Sequence, residues 1–278
     1  MSSISKTFLG SLLGILVERG DINLDDPINN YLPDGVRLKP FNGKEVTILH
    51  LATHNGGLPT FPEDFRTTDG TFSEYTLDDL WKSVNDFAPT RAGGDEWHYS
   101  TFGIGILSQA LAHHFERDYF QMIREEVLLP LGMTETFLHL PTELKGRFAQ
   151  GHLADGSLTE NLVNHGVMYA GGSMITTVND MEKYVKAHMG LLDTPLYSAF
   201  EIGHKIYTEN ESMGLTWENS TGTINRNHMG TGGGHRAYIG FNKGGNLGTI
   251  AFTNIRFGIV AIGHRMLNPD HQLPTYDD

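Results

Sequence analysis

The chain contains no cysteine, which excludes disulfide cross-links and thiolate metal centres and leaves the redox compartment open. Basic residues are scarce beside acidic ones: 20 Lys and Arg against 33 Asp and Glu, a formal net charge of −13. That balance repels nucleic acid and anionic lipid, so no nucleic-acid partner is expected, although it selects no substrate. Long hydrophobic runs are also missing. The most apolar stretch, Phe8–Val17, is about half the length that a membrane-spanning helix needs. No small-x-small cleavage site follows it before Glu18-Arg19-Gly20-Asp21, so it reads as a buried helix and no transmembrane segment is expected. No repeat, low-complexity tract or linker interrupts the 278 residues, a length suited to one large unit or two merged ones.

What is present divides into three stretches. Residues 5–19 read as a helix buried on most sides and closed by Gly20 as C-cap. Residues 21–190 alternate Pro-bearing loops with amphipathic helices at Leu77–Asn85, Phe102–Phe115, Asp118–Leu129 and Val178–Leu191, the last started by Asn179 or Asp180. From residue 223 the period changes. Thr223–His228, Arg236–Asn242 and Leu247–Thr253 are strand-like, with turn signals at Gly232-Gly233-Gly234 and Lys243-Gly244-Gly245, an antiparallel meander that a helix over Gly258–Leu267 would cover. The order predicts an α+β fold, or a helical part beside an α/β one. We read residues 1–278 as one catalytic unit, mostly helical to about residue 190, with the sheet and C-terminal helix in about 191–278.

Three elements could carry chemistry. Ser3-Ile4-Ser5-Lys6 is an S-x-x-K at the head of the apolar helix, and its spacing of three puts Ser3 and Lys6 on one helix face. A lysine in a dry pocket can be tuned toward neutrality and take the serine proton, and the helix N-terminus favours developing negative charge. By itself the tetrapeptide equally describes a capping serine and a solvated lysine. Tyr99-Ser100-Thr101 stands at a loop-to-helix junction, where a tyrosine either reaches a nucleophile or is simply packed with its hydroxyl bonded. His228-Met229-Gly230, at the end of a predicted strand, runs into Thr231 and three glycines. Such a segment either lets backbone N–H groups approach a ligand or is a glycine-rich turn.

Taken in order, S-x-x-K, a mid-chain tyrosine triad and a late basic-x-Gly resemble the three-motif site of serine β-lactamases and penicillin-binding proteins, most closely the class C β-lactamases. Those relatives include D-alanyl-D-alanine carboxypeptidases and carboxylesterases. Further segments share the resemblance: Gly20–Pro27 with Tyr31-Leu32-Pro33, Leu51–Pro59, Pro130–Thr136, and Ala170-Gly171-Gly172 with Thr176 and Asp180. The resemblance implies a β-lactamase/transpeptidase-like fold, an antiparallel sheet flanked by helices plus a mostly helical subdomain. It further implies Ser3 as the acylated nucleophile, Lys6 and Tyr99 as the base and acid, and the N–H groups of Ser3 and Thr231 as the oxyanion hole. Thr101, His228, Gly230 and Thr231 would contact substrate. No cofactor and no metal is implied.

Two departures matter. Thr101 and His228 stand where the family has Asn and usually Lys, which removes an amide and a fixed cation and weakens recognition of a substrate carboxylate. Ser3 also lies close to Met1, whereas family members carry a helix and two strands ahead of S-x-x-K. The expectation is a shortened fold whose exposed sheet edge or apolar face leads to self-association or weak activity. The family often works in the periplasm or outside the cell, and this chain carries no signal that places it. Three readings stay open: a hydrolase of β-lactams or D-alanyl peptides, a carboxylesterase using the same residues, and a member that keeps the fold without turnover. A metal hydrolase fits poorly despite 14 histidines, because His113 and His114 are adjacent and only His50 and His54 share a helical spacing.

Overall fold

The computed structural model describes residues 1–66, 74–159, 164–208, 212–219, 225–243 and 247–273. Eight α-helices occur among them: α1 Ser5–Arg19, α2 Ile48–Ala52, α3 Leu77–Asp86, α4 Thr101–His114, α5 Tyr119–Ile123, α6 Val178–His188, α7 Tyr197–His204 and α8 Ile259–Leu267. Four antiparallel strands, β1 Glu218–Asn219, β2 Asn225–Gly232, β3 His235–Asn242 and β4 Gly248–Thr253, form one sheet in sequence order.

Helix α1 continues a 3-10 turn over Ser2–Ile4 and is buried from Ser5 to Leu16. Gly20 ends it at φ +77°, its N–H returning to the carbonyls of Leu16 and Val17, the left-handed C-cap that glycine adopts without a Cβ clash. Glycine inside a helix costs about 1 kcal/mol against alanine, and two positions in α1 explain why it is kept. A Cβ on Gly10 would stand 2.1 Å from the carbonyl oxygen of Leu215, and one on Gly14 would stand 2.2 Å from that of Ala199. These glycines let α7 and the segment before β1 pack backbone against backbone on α1. Gly10→Ala is therefore expected to destabilise the protein by about 3 kcal/mol, the upper end for overpacking, because a carbonyl cannot rotate aside. A urea-unfolding midpoint checks this, and an unchanged midpoint would refute it.

Alternation in β3 joins the layers. Ala237, Ile239 and Phe241 enter the main core with Phe8, Leu12, Met181 and Phe200, while Tyr238 turns outward with Ala251 and Leu267 beneath α8. Helix α8 leaves Ile262 and Met266 exposed on its outer side, near Phe257.

Several boundaries differ from the sequence reading, each for a local reason. The first long strand runs on through Met229-Gly230-Thr231 to Gly232, and the turn is Gly233-Gly234 alone, at φ +56° and +73°. Two positive φ values make the tight hairpin whose twist matches the strands. Residues 223–224 of that expected strand, and Gly244-Gly245 of the other turn, lie outside the described residues. Helix α6 starts because the Thr177 side chain accepts the Asp180 N–H, so the cap is Thr177 and not Asn179 or Asp180. Helix α7, a short element with no side-chain cap, falls in the stretch expected to hold only sheet and terminal helix. His50 closes a capping box with Thr47, whereas His54 lies beyond the end of α2 at φ +60°. The two do not share a helix face.

Candidate active site

The 3-10 turn and the first turn of α1 set Ser3 above Lys6. Lys6 Nζ lies 3.4 Å from Ser3 Oγ, at the long end for a hydrogen bond, and makes a short bond to the Gly171 carbonyl oxygen. Its residue is wholly buried, and desolvation lowers its pKa from 10.5 to about 7, with Glu218 pulling the other way. Near neutral pH the amine is thus divided between its two forms. Once neutral it can donate to Gly171 and still present a lone pair to the Ser3 hydroxyl. The serines on either side are committed elsewhere. Ser2 Oγ donates to the Thr231 carbonyl at 2.8 Å and Ser5 Oγ to the Ser2 carbonyl at 2.7 Å, leaving Ser3 as the hydroxyl aimed at the lysine.

Tyr99 precedes Ser100, whose hydroxyl caps α4 by accepting the Gly103 N–H. This cap is why a tyrosine at that junction points away from the helix. The Ser3 side chain lies close enough to the Tyr99 hydroxyl to pull its pKa down, and Lys6 Nζ lies 4.8 Å from the centre of its ring. Burial, reinforced by Glu218, holds the phenol well above its ordinary range. It is a neutral O–H donor and not a phenolate.

On the far side, β1 pairs only with Arg226 and Asn227, so the outer edge of β2 is open from His228 onward. Gly232 and His235 close the two-residue hairpin as a hydrogen-bonded pair. By antiparallel alternation the next pair, Thr231 with Arg236, is non-bonded. The N–H and C=O of Thr231 therefore point outward to the open edge, where its carbonyl indeed meets Ser2 Oγ. The Ser3 amide, in the first turn, is free of the helical ladder. Gly230 is what lets strand and turn meet: a Cβ there would stand 2.3 Å from the Met1 carbonyl oxygen and 3.2 Å from the Ser3 nitrogen. Its smallness serves contact with the turn that bears Ser3, where the sequence suggested contact with a ligand.

His228 and Thr101 are also at the site. Burial and the nearby Lys6 lower the His228 pKa to about 3, so the imidazole is neutral. Its Nδ1 bonds the Met229 carbonyl oxygen at 2.8 Å, which makes Nδ1 the protonated nitrogen, and the buried Nε2 has no partner among the described residues. Thr101 is buried and packs its γ-methyl on Gly171, 2.5 Å from where a Cβ would lie. It abuts the residue whose carbonyl holds Lys6.

Three further groups converge here. The Gly171 carbonyl came with a recognised segment, but its bond to Lys6 depends on tertiary placement. Glu218, on the two-residue strand β1, acts electrostatically on both Lys6 and Tyr99; no motif in the sequence marks it. His54 and His165, both made poor bases by burial and by Lys6, complete a ring of neutral imidazoles around the lysine. A separate cavity of about 500 Å³ lies behind Ser2, lined by Met1, Phe137, Phe148, Met174 and Phe252. Its lining includes Ser2, Gly172 and Gly232 but not Ser3, Lys6 or Tyr99. Among the described residues no group of three or more His, Asp or Glu could hold a metal ion, and no helix is long and apolar enough to cross a membrane.

The fold is an antiparallel sheet with helices, as in class C β-lactamases. One such enzyme superposes with a TM-score of 0.82 over 99% of this chain and 82% of its own, at 22% identity. The D-alanyl-D-alanine-carboxypeptidase/endopeptidase AmpH of Escherichia coli K12 is 24% identical over 89% of this chain and 68% of its own length. A β-lactamase of Pseudomonas fluorescens is 32% identical over 78% of this chain and 59% of its own. The chain therefore spans 68% and 59% of the lengths of the last two relatives. The family model described as Beta-lactamase matches residues 1–262, and with Ser3, Lys6 and Tyr99 gathered at one point the chain belongs to the β-lactamase family of serine hydrolases.

Proposed function

We propose that the protein is a serine acyl-hydrolase that works through an ester on Ser3 and acts on β-lactams or D-alanyl peptides. The observation that carries this is the Ser3–Lys6–Tyr99 cluster, with an amine poised near pKa 7 and a neutral phenol on one hydroxyl. Neutral Lys6 takes the Ser3 proton as Oγ attacks the acyl carbon. The oxyanion is held by the Ser3 and Thr231 N–H groups, donors already fixed by the backbone. Tyr99 hands a proton to the leaving nitrogen, Lys6 replenishes it, and water then attacks the ester with the same groups acting in reverse. Intact-protein mass followed after mixing with a penicillin tests the reading. A persistent adduct is expected of a carboxypeptidase and a transient one, with opened penicillin accumulating, of a β-lactamase. Absence of any adduct would remove both.

A second reading, a carboxylesterase with the same site, is favoured by His228. A neutral ring at this position offers no fixed charge to a substrate carboxylate, which β-lactams and D-alanine-terminated peptides carry and simple esters lack. Turnover of a chromogenic ester without penicillin binding would decide for it.

We also infer self-association through the sheet edge at β4 and the outer side of α8, since β4 is an outer strand and Ile262 and Met266 of α8, with Phe257 ahead of it in the chain, are exposed. Light scattering should give twice the 30.8 kDa chain mass, and a monomer at high protein concentration would disprove it.

A further inference from the structure

We propose that His54 is a positioning residue for Tyr99, holding the phenol on Ser3 through the backbone on both sides of the tyrosine. The inference rests on the role given to Tyr99 above. His54 grips the segment that bears Tyr99 at three points. Its carbonyl oxygen accepts the His98 N–H at 2.8 Å. Its Nδ1 accepts the Ser100 N–H at 3.2 Å. Its ring lies against that of Tyr99, centroids 4.6 Å apart and 39° between planes, and Trp97 meets the same imidazole edge-on at 6.3 Å. The residues before and after Tyr99 are thus both tied to one residue, and the tyrosine side chain between them rests on its imidazole.

The chemistry of the ring fits this task. A backbone N–H pointing at Nδ1 demands a lone pair there, so the proton sits on Nε2 and the ring must be neutral. It is buried and faces Lys6, His228 and His98, each of which disfavours a second proton. His54 also occupies φ +60°, a conformation uncommon for a residue with a Cβ. Strain of this kind persists where the surroundings over-determine it, and here the two backbone bonds to residues 98 and 100 do so. The ring is not placed on Ser3: no hydrogen bond from His54 to Ser3 or Lys6 is formed, so it acts through Tyr99.

A double-mutant cycle tests this on the full chain, reading the acylation rate with a chromogenic ester or β-lactam alongside the thermal midpoint. His54→Asn keeps an oxygen acceptor and tolerates the left-handed backbone but lacks the ring. His54→Phe keeps a ring but loses the acceptor. Each is expected to lower kcat about 10- to 100-fold with little change in KM, the loss that misplacing a catalytic group by about 1 Å produces. In a Tyr99→Phe background, where there is no hydroxyl left to place, the same substitutions should cost less than about 3-fold, because residues acting as a unit are not additive. Their thermal shifts should be equal in both backgrounds. Equal fold-losses in the two backgrounds, or no loss from either single variant, would overturn the role of His54 while leaving that of Tyr99 intact. If Tyr99→Phe alone left the rate unchanged, the assignment of Tyr99 would fall and this inference with it. Should His54→Phe fail to fold, the His54→Asn arm carries the cycle alone.

Discussion

Replacing Ser3 by alanine is expected to abolish the acyl adduct and to lower turnover by about 10⁴-fold or more, with folding stability changed by no more than about 0.5 kcal/mol. The size of the effect follows from the neighbours. The sequence Ser2-Ser3-Ile4-Ser5 offers three hydroxyls within one turn, so two others stand close enough to be candidates for the same role. The structure commits two of them. Ser2 Oγ is held on the Thr231 carbonyl, and Ser5 Oγ both donates to the Ser2 carbonyl and accepts the Met174 N–H at 3.2 Å. Neither can turn to Lys6 without leaving a buried carbonyl or amide unpaired, at about 1–3 kcal/mol. Ser3, by contrast, is partly exposed and among the described residues its hydroxyl makes only the 3.4 Å contact to Lys6, so its loss costs the fold little. Intact mass spectrometry and a urea titration check the two halves. Full turnover in the alanine variant would move the nucleophile elsewhere, and a large drop in stability would mean that the hydroxyl is structural.

Much of this was legible in the sequence because the relevant signals are local. The S-x-x-K spacing on a helix, the Gly20 cap and the loop-to-helix junction at Tyr99-Ser100-Thr101 each depend on neighbours within four residues, and each sits as read. What was illegible depends on partners far along the chain. Met229-Gly230-Thr231-Gly232 has little intrinsic strand preference and reads as a turn. It is strand because it pairs with residues 235–238 and lies against the Ser2–Ile4 turn, a packing that only a glycine at 230 permits. His54 reads as one more loop histidine until the fold places its ring on Tyr99. Glu218 could not be found at all, since β1 is two residues long and no periodicity marks it. Its electrostatic reach to Lys6 arises only when the β1 strand is added beside β2.

That same carboxylate bears on the last expectation, the pH dependence of acylation and its loss in Lys6→Arg. The reactive form of Lys6 is the neutral amine. Desolvation brings its pKa down to about 7, so the rate constant for acylation should rise with pH through about 7 as the proton leaves. The usual partner limb is missing. Tyr99 is held above its ordinary range and does not ionise below about pH 10, so the profile should level off and not fall again as a bell shape does. The same shift acts on stability. Between about 7 and 10.5 the unfolded chain keeps the Lys6 proton and the folded one does not, so stability from this group rises with pH across that window. Lys6→Arg puts a guanidinium, charged at every accessible pH, where a base is required. It should cost about 10²–10⁴-fold in acylation and flatten the profile near neutrality. Single-turnover acylation from pH 5 to about 9.5 in both proteins measures this. If the arginine variant kept the rise through pH 7, the base would have to be another group. Removing Glu218's charge as Glu218→Gln should then narrow the choice, because it moves the midpoint downward if Lys6 or Tyr99 titrates and leaves it in place if the base is a group that Glu218 does not act on, such as His228.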